Sequence, residues 1–192
     1  MAQIKLNATL GLEGTLPAIS GSNLTSLNAS NISSGTLNSA RFSGGKIAQV
    51  IEDESTTATT FTDTTYVDVG LQVTITPSAT SSKILILANC NGWKCNTGSG
   101  GSGQMRIQWD QAGGSFTNVQ EYEGHNGYAD NEINNISPMY LHSPNTTSAS
   151  IYKVQAAQLN GFSSGSMRMN NRQNDGGYMR SSIIVMEILA WL

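Results

Sequence analysis

Two short segments carry the side chains with most to offer a ligand. Tyr122-Glu-Gly-His-Asn-Gly-Tyr128 and Met169-Asn-Asn-Arg-Gln-Asn-Asp-Gly-Gly-Tyr178 mix aromatic rings, amides and one or two charges on glycine-rich backbone. An aromatic ring stacks on the apolar side of a pyranose, while Asn, Gln, Asp and Arg bridge its hydroxyls. Tyr122, His125, Asn126, Tyr128, Asn171, Arg172, Asn174 and Tyr178 are therefore the candidate recognition residues. The alternative is a pair of ordinary polar loops whose tyrosines fold back onto the core.

Catalytic arrangements are sparse. Glycoside hydrolysis needs two carboxylates held about 5 to 10 Å apart in a cleft. Glu121 and Glu123 share one face of a possible strand, with Asp130 and Glu132 in the following loop, but such pairs are common in solvated loops. No Gly-x-Ser-x-Gly elbow occurs, and Thr97–Gly103 (TGSGGSG) lacks the Lys-Ser/Thr ending of a phosphate loop. Cys90 and Cys95 frame four residues. They read as two thiols or as one loop disulfide, since metal would need further ligands and the two histidines, His125 and His142, lack zinc-motif spacing. We expect no enzyme, no cofactor and no metal.

The elements that must position these residues are strands. Val67, Val69, Leu71, Val73 and Ile75 alternate with polar residues, the mark of a half-buried strand. Pro77-Ser78 ends it, and Lys83–Ala88 (KILILA) follows as a strand covered on both faces. Met105, Ile107 and Trp109 alternate in another one-sided strand. Weaker candidates are 47–51, 56–62, 116–122, 136–141, 149–157 and 166–170. Ser182–Leu192 is apolar on both alternating faces, which predicts a central strand whose outer face, with Ile184, Met186 and Ile188, meets another subunit. A terminal amphipathic helix is the alternative. Eight to ten strands at intervals of about ten residues predict an all-β, antiparallel β-sandwich (jelly-roll-like) head over residues 46–192.

Residues 1–45 are different. Leu27, Ile32, Leu37 and Phe42 fall five apart among Ser, Thr, Asn, Gly and Ala, and Leu24 extends the apolar series. Neither a helix nor a flat strand puts that spacing on one face. A thin ribbon of this kind has no core of its own and predicts intertwining with sister chains; a polar linker is the alternative. Gly14-Thr15-Leu16 and Gly35-Thr36-Leu37 repeat one start, and Ser43-Gly44-Gly45 forms a hinge before the head.

The run GTLPAISGSNLTSLNASNISSGTLNSARFSGG, followed by YVDVGLQVTITPSATSSKILIL and a terminal SSIIVMEILAWL, resembles the short tail-fibre and virion-fibre proteins of tailed bacteriophages, the marine and cyanobacterial type especially. The match is close over Gly14–Gly45 and looser over the head. The resemblance implies a homotrimeric attachment element of the virion. Its N-terminus would join other virion proteins, its neck would intertwine, and its head would meet a host-surface glycan or outer-membrane protein. A capsid- or tail-decorating fibre without a receptor, or a polysaccharide-degrading enzyme, are the competing functions.

Composition agrees with a low-charge extracellular structure. Charged residues are 12% of the chain, half the usual share of about 25%, while Ser, Thr, Asn and Gly make up roughly two fifths. A net charge of −3 argues against nucleic-acid binding. The N-terminal MAQIKLNATLGLEG has no apolar h-region, and Ile183–Leu192 is too short to span a bilayer and holds Glu187, so synthesis in the host cytoplasm without membrane insertion is expected.

Overall fold

The computed structural model describes residues 46–95, 101–127, 133–159, 166–171 and 179–189, without the side chains of residues 95, 101, 124–127 and 133. The predicted neck, with Leu24, Leu27, Ile32, Leu37 and Phe42, lies outside the described residues. Eleven strands run in chain order: β1 (Ile47–Ser55), β2 (Thr59–Phe61), β3 (Val67–Ile75), β4 (Lys83–Cys95), β5 (Gly101–Gln111), β6 (Thr117–Gly127), β7 (Ile133–Ile136), β8 (Met139–His142), β9 (Ser150–Gln158), β10 (Met167–Met169) and β11 (Ser181–Ile188). All pair antiparallel.

Three columns of the larger sheet are broken strands. β11 and β10 lie end to end along one side of β4, and β8 and β7 along the other. β1 and β2 continue one another beside β11 and β10. The columns therefore read β1/β2, β11/β10, β4, β8/β7, and the second sheet reads β3, β9, β5, β6. Numbering the eight columns along the chain gives orders 1-8-3-6 and 2-7-4-5, the two interlocked Greek keys of a jelly roll.

Alternation decides which faces meet. Val69, Leu71, Val73 and Ile75 of β3 pack with Met105, Ile107, Tyr152 and Val154 against Ile84, Ile86, Ile183 and Val185 of the other sheet. β11 is a central strand between β1 and β4, and the alternative of a terminal helix is corrected. Such a strand fills both its ladders, whereas an isolated helix of this length would leave one apolar face uncovered.

β4 runs seven residues past the predicted Ala88, through Asn89–Cys95. Gly92 makes this possible. It sits at φ +65° in a register shift, and a Cβ there would meet the Asn171 backbone N at 2.9 Å. Just beyond, the Trp93 ring is fully buried and stacks on Phe61 with centroids 5.5 Å apart. It occupies the space a Cβ on Gly103 would need, 2.4 Å from that position. Cys90 and Cys95 thus lie on one extended strand with Cα atoms roughly 16 Å apart, beyond disulfide reach. The loop-disulfide alternative is corrected accordingly, and Cys90 is a buried free thiol.

Hydrogen bonds tie the column breaks together. Asn170, fully buried at φ +58°, donates from Nδ2 to the carbonyls of Ser55 (3.3 Å) and Thr57 (3.1 Å). Its Oδ1 accepts from Ser181 Oγ, which in turn accepts from Asn91 N at 2.9 Å. One amide thus closes the gaps between β1 and β2 and between β10 and β11.

Candidate functional site

The two ends of the sandwich differ. The chain enters at Lys46, whose carbonyl accepts from Leu189 N at 3.0 Å, so the first and last described residues share one end. The connections 62–66, 96–100, 128–132 and 160–165 all arise at the other end. There Gly101 pairs Gly127, Gly103 pairs Gln158, Ile133 pairs Lys94 and Met167 pairs Cys95. The thirteen-residue β4 separates the ends by roughly 40 Å at the usual strand rise.

Both candidate recognition segments are rooted towards the far end. The first continues β6: His125 and Asn126 pair Gly103 and Ser102, and the chain leaves the sheet after Gly127 to return at Ile133 opposite Lys94. The second leaves at Asn171, half-buried against Gly92, and returns at Met179, whose N donates to Asn170 O at 3.3 Å. The roots at Ile133 and Asn171 stand on opposite sides of β4, two residues apart along it. Tyr122 pairs Met105, packs its ring against the core and donates its hydroxyl to Met139 O at 3.3 Å. Burial, with Tyr140 nearby, raises its pKa. The side chains of His125 and Asn126, and all of Tyr128, Arg172, Asn174 and Tyr178, lie outside the described residues.

The outer faces of the two sheets contrast sharply. On β3-β9-β5-β6 a polar ladder crosses the strands. Arg106 Nε donates to Gln155 Oε1 (2.8 Å), Gln155 Nε2 donates to Asp68 Oδ1 (2.7 Å), and Lys153 Nζ pairs with Asp68 at 3.0 Å. Arg106 lies over the Tyr66 ring and Lys153 over Phe116, at 4.1 and 4.0 Å. Glu121 and Glu123 stand exposed in this ladder, opposite Arg106 and Gln104. A cavity of about 290 Å³ lined by Asp68, Gly70, Leu71, Gln72 and Lys153 holds one carboxylate, already bound to its lysine. Among the described residues no three His, Cys, Asp or Glu side chains group as metal ligands. His142 is half-buried among aromatics, its Nδ1 2.9 Å from Tyr152 OH, and burial lowers its pKa.

On the other sheet the outer face is apolar over the half nearer Lys46. One register row reads Val50, Met186, Leu85, Leu141 across all four columns. The next reads Ile184, Leu87 and Met139 behind Glu52 at the edge, and the row nearest Lys46 pairs Ile47 with Ile188. Ile47 is 55% exposed, Val50 58%, Met139 65% and Leu141 46%; among the described residues these are four of the five well-exposed large apolar side chains. Ile184, Met186 and Ile188 are half-buried between their neighbours. Together the face presents on the order of 600 Å² of apolar surface, at the top of the range for the largest patch on a soluble monomer.

Sequence reasoning missed Glu187, Lys94 and Arg168. Glu187 occurs in an apolar run yet is fully buried. Its Oε1 accepts from Ser78 N (2.6 Å), Ser78 Oγ (2.7 Å) and Ser82 Oγ (2.6 Å), and its Oε2 from Gln49 Nε2 (2.6 Å). Burial pushes its pKa up, but these bonds outweigh burial and hold the carboxyl below its ordinary range. The carboxylate closes the core at the Lys46 end.

No protein-family model and no curated protein matches the chain. Among solved structures it aligns with that of infectious bursal disease virus strain Gt at 12% identity and TM-score 0.42, covering 77% of this chain and 38% of that one. Strain Gx of the same virus aligns at 12% identity and TM-score 0.37, covering 75% and 37%. The chain thus spans under two fifths of the length of either, and with TM-scores below 0.5 neither likeness bears on what it does.

Proposed function

We propose that the chain is a structural virion protein, a homotrimeric fibre of the tailed-phage type whose head attaches to the host surface. The observation that carries this reading is the contrast between the two outer faces. A monomer gains nothing from an unbroken apolar row across four columns, whereas a subunit buries it. The predicted neck supports association too, since its pentad aliphatics also need company, and its resemblance to phage fibres supports the setting and the number of three. Ile184, Met186 and Ile188 are the centre of the proposed subunit interface, with Val50, Leu85, Leu87, Met139 and Leu141 around them.

The mechanism is non-covalent. Residues before Gly14 dock to the particle through other virion proteins, and the far-end strand termini stand about 40 Å from the Lys46 end. Three copies of a weak glycan or protein site then gain avidity on a repetitive surface. Substituting Tyr128 and Tyr178 by Ala tests the recognition role. Cell adsorption should fall while the oligomeric mass is unchanged; unaltered adsorption removes these residues from the site. Particle binding without any cell binding would instead identify a decorating fibre, and released reducing sugar an enzyme.

A further inference from the structure

We propose that Lys94 and Arg168 form a binding site for an anionic group, a carboxylate, sulfate or phosphate, of the kind an acidic surface saccharide presents. Arg168 of β10 stands directly opposite Lys94 of β4. Directly opposed residues of an antiparallel pair project to one face with Cβ atoms roughly 5 Å apart, and like charges so placed repel. Met167, Met169 and Trp93 turn into the core, so the two cations turn outward. The register row they occupy reads Thr60, Arg168, Lys94, Ile133 and holds no carboxylate.

Neither cation has an ion-pair partner among the described residues, whose pairs are Lys153 with Asp68 and Arg180 with Glu54. Yet Lys94 is only 7% exposed, and the Arg168 Nε is buried without a hydrogen-bond partner. A buried and a half-buried cation side by side, with no counter-charge among the described residues, are costly. An anion between them removes that cost. The guanidinium supplies a planar fork through its unused Nε–H, and the ammonium supplies a compact second charge.

The position fits recognition. The pair lies between the roots of the two candidate segments, Ile133 opposite Lys94 on one side and Asn171 against Gly92 on the other. It is seven residues along β4 from Leu87, roughly 23 Å from the apolar rows. The cation site rests on its own geometry; only the choice of a saccharide as bearer of the anion rests on the attachment reading above.

The test is calorimetric titration of the full-length protein at fixed ionic strength with trigalacturonic acid, with neutral galactotriose and with inorganic sulfate. We expect saturable binding of the trigalacturonate, none of the neutral sugar, and at least tenfold weaker binding in both Arg168→Gln and Lys94→Met, with Arg168→Lys intermediate. Without ligand, Arg168→Gln should melt no lower than the wild type, because it relieves repulsion; this also shows that the variant folds if Lys94→Met does not. Sulfate binding as tightly as the saccharide upholds the cation site and assigns it to free anions. No saturable response to either anion, or binding unchanged in Arg168→Gln, overturns the proposal. Cell adsorption is not a readout here, so failure of the attachment reading leaves the result standing.

Discussion

Replacing Glu187 by Gln probes how the apolar strand β11 is held. At neutral pH the carboxylate accepts four hydrogen bonds from Ser78, Ser82 and Gln49. The amide is nearly isosteric, so no cavity opens, but one acceptor becomes a donor. If it replaces Oε2 it faces Gln49 Nε2, which also donates to Thr76 O at 2.7 Å. Either that contact becomes donor against donor, or Gln49 flips and abandons Thr76. The remaining bonds lose their charge assistance. Hydrogen bonds to charged groups contribute about 1.5–3 kcal/mol and neutral ones about 1 kcal/mol, so the substitution should cost about 2–4 kcal/mol. For a chain of this size that lowers Tm by roughly 5–15 °C. The pH dependence has a definite sign. The folded pKa of Glu187 is depressed, so the unfolded state binds the proton more tightly. The contribution is full above the ordinary Glu value of about 4.3 and is lost as the pH falls through the folded value. Thermal melts of wild type and Glu187→Gln, at one protein concentration from pH 7 to pH 3, should therefore show a gap that narrows in acid. No gap at pH 7, or a gap independent of pH, would refute the reasoning.

Two further outcomes follow from the packing. Met139→Lys places a charge on the apolar face at a position already 65% exposed. Folding stability of the protomer should change by no more than about 0.5 kcal/mol. Association loses burial of roughly 100 Å², about 2.5 kcal/mol, so sedimentation equilibrium should show association weakened by well over tenfold in affinity. Burial pushes the Cys90 thiol up to about 12, so peptide mapping after alkylation at pH 8 should find Cys90 unmodified in the native protein and labelled once it is unfolded.

What the sequence makes legible is local. The alternation of Val69, Leu71, Val73 and Ile75 places β3 and its buried face without help from the rest of the chain. The doubly apolar run at Ser182–Leu192 favours a central strand over a terminal helix, and β11 spans Ser181–Ile188. Where local chemistry misleads, a distant residue is responsible. Asn89–Cys95 reads as a loop because of its Asn and Gly, yet Gly92 serves a close approach of the Asn171 backbone. The run Thr97–Gly103 reads as a flexible connection, although its last three residues lie in β5 and Gly103 is small because Trp93 fills the space above it. The candidate recognition segments stand out by composition alone. Tyr122 belongs less to a loop than to the core, since its pairing with Met105 turns the ring inward. Lys94 and Arg168 meet only through the pairing of β10 with β4, and no local pattern marks either one.

Association through the apolar face is the claim on which the functional reading stands, and molar mass tests it most directly. Light scattering of the purified full-length chain across the micromolar range should give about three times the 20.4 kDa protomer mass. A steady single-protomer mass over that range, with Val50, Met139 and Leu141 left open to water, would contradict it.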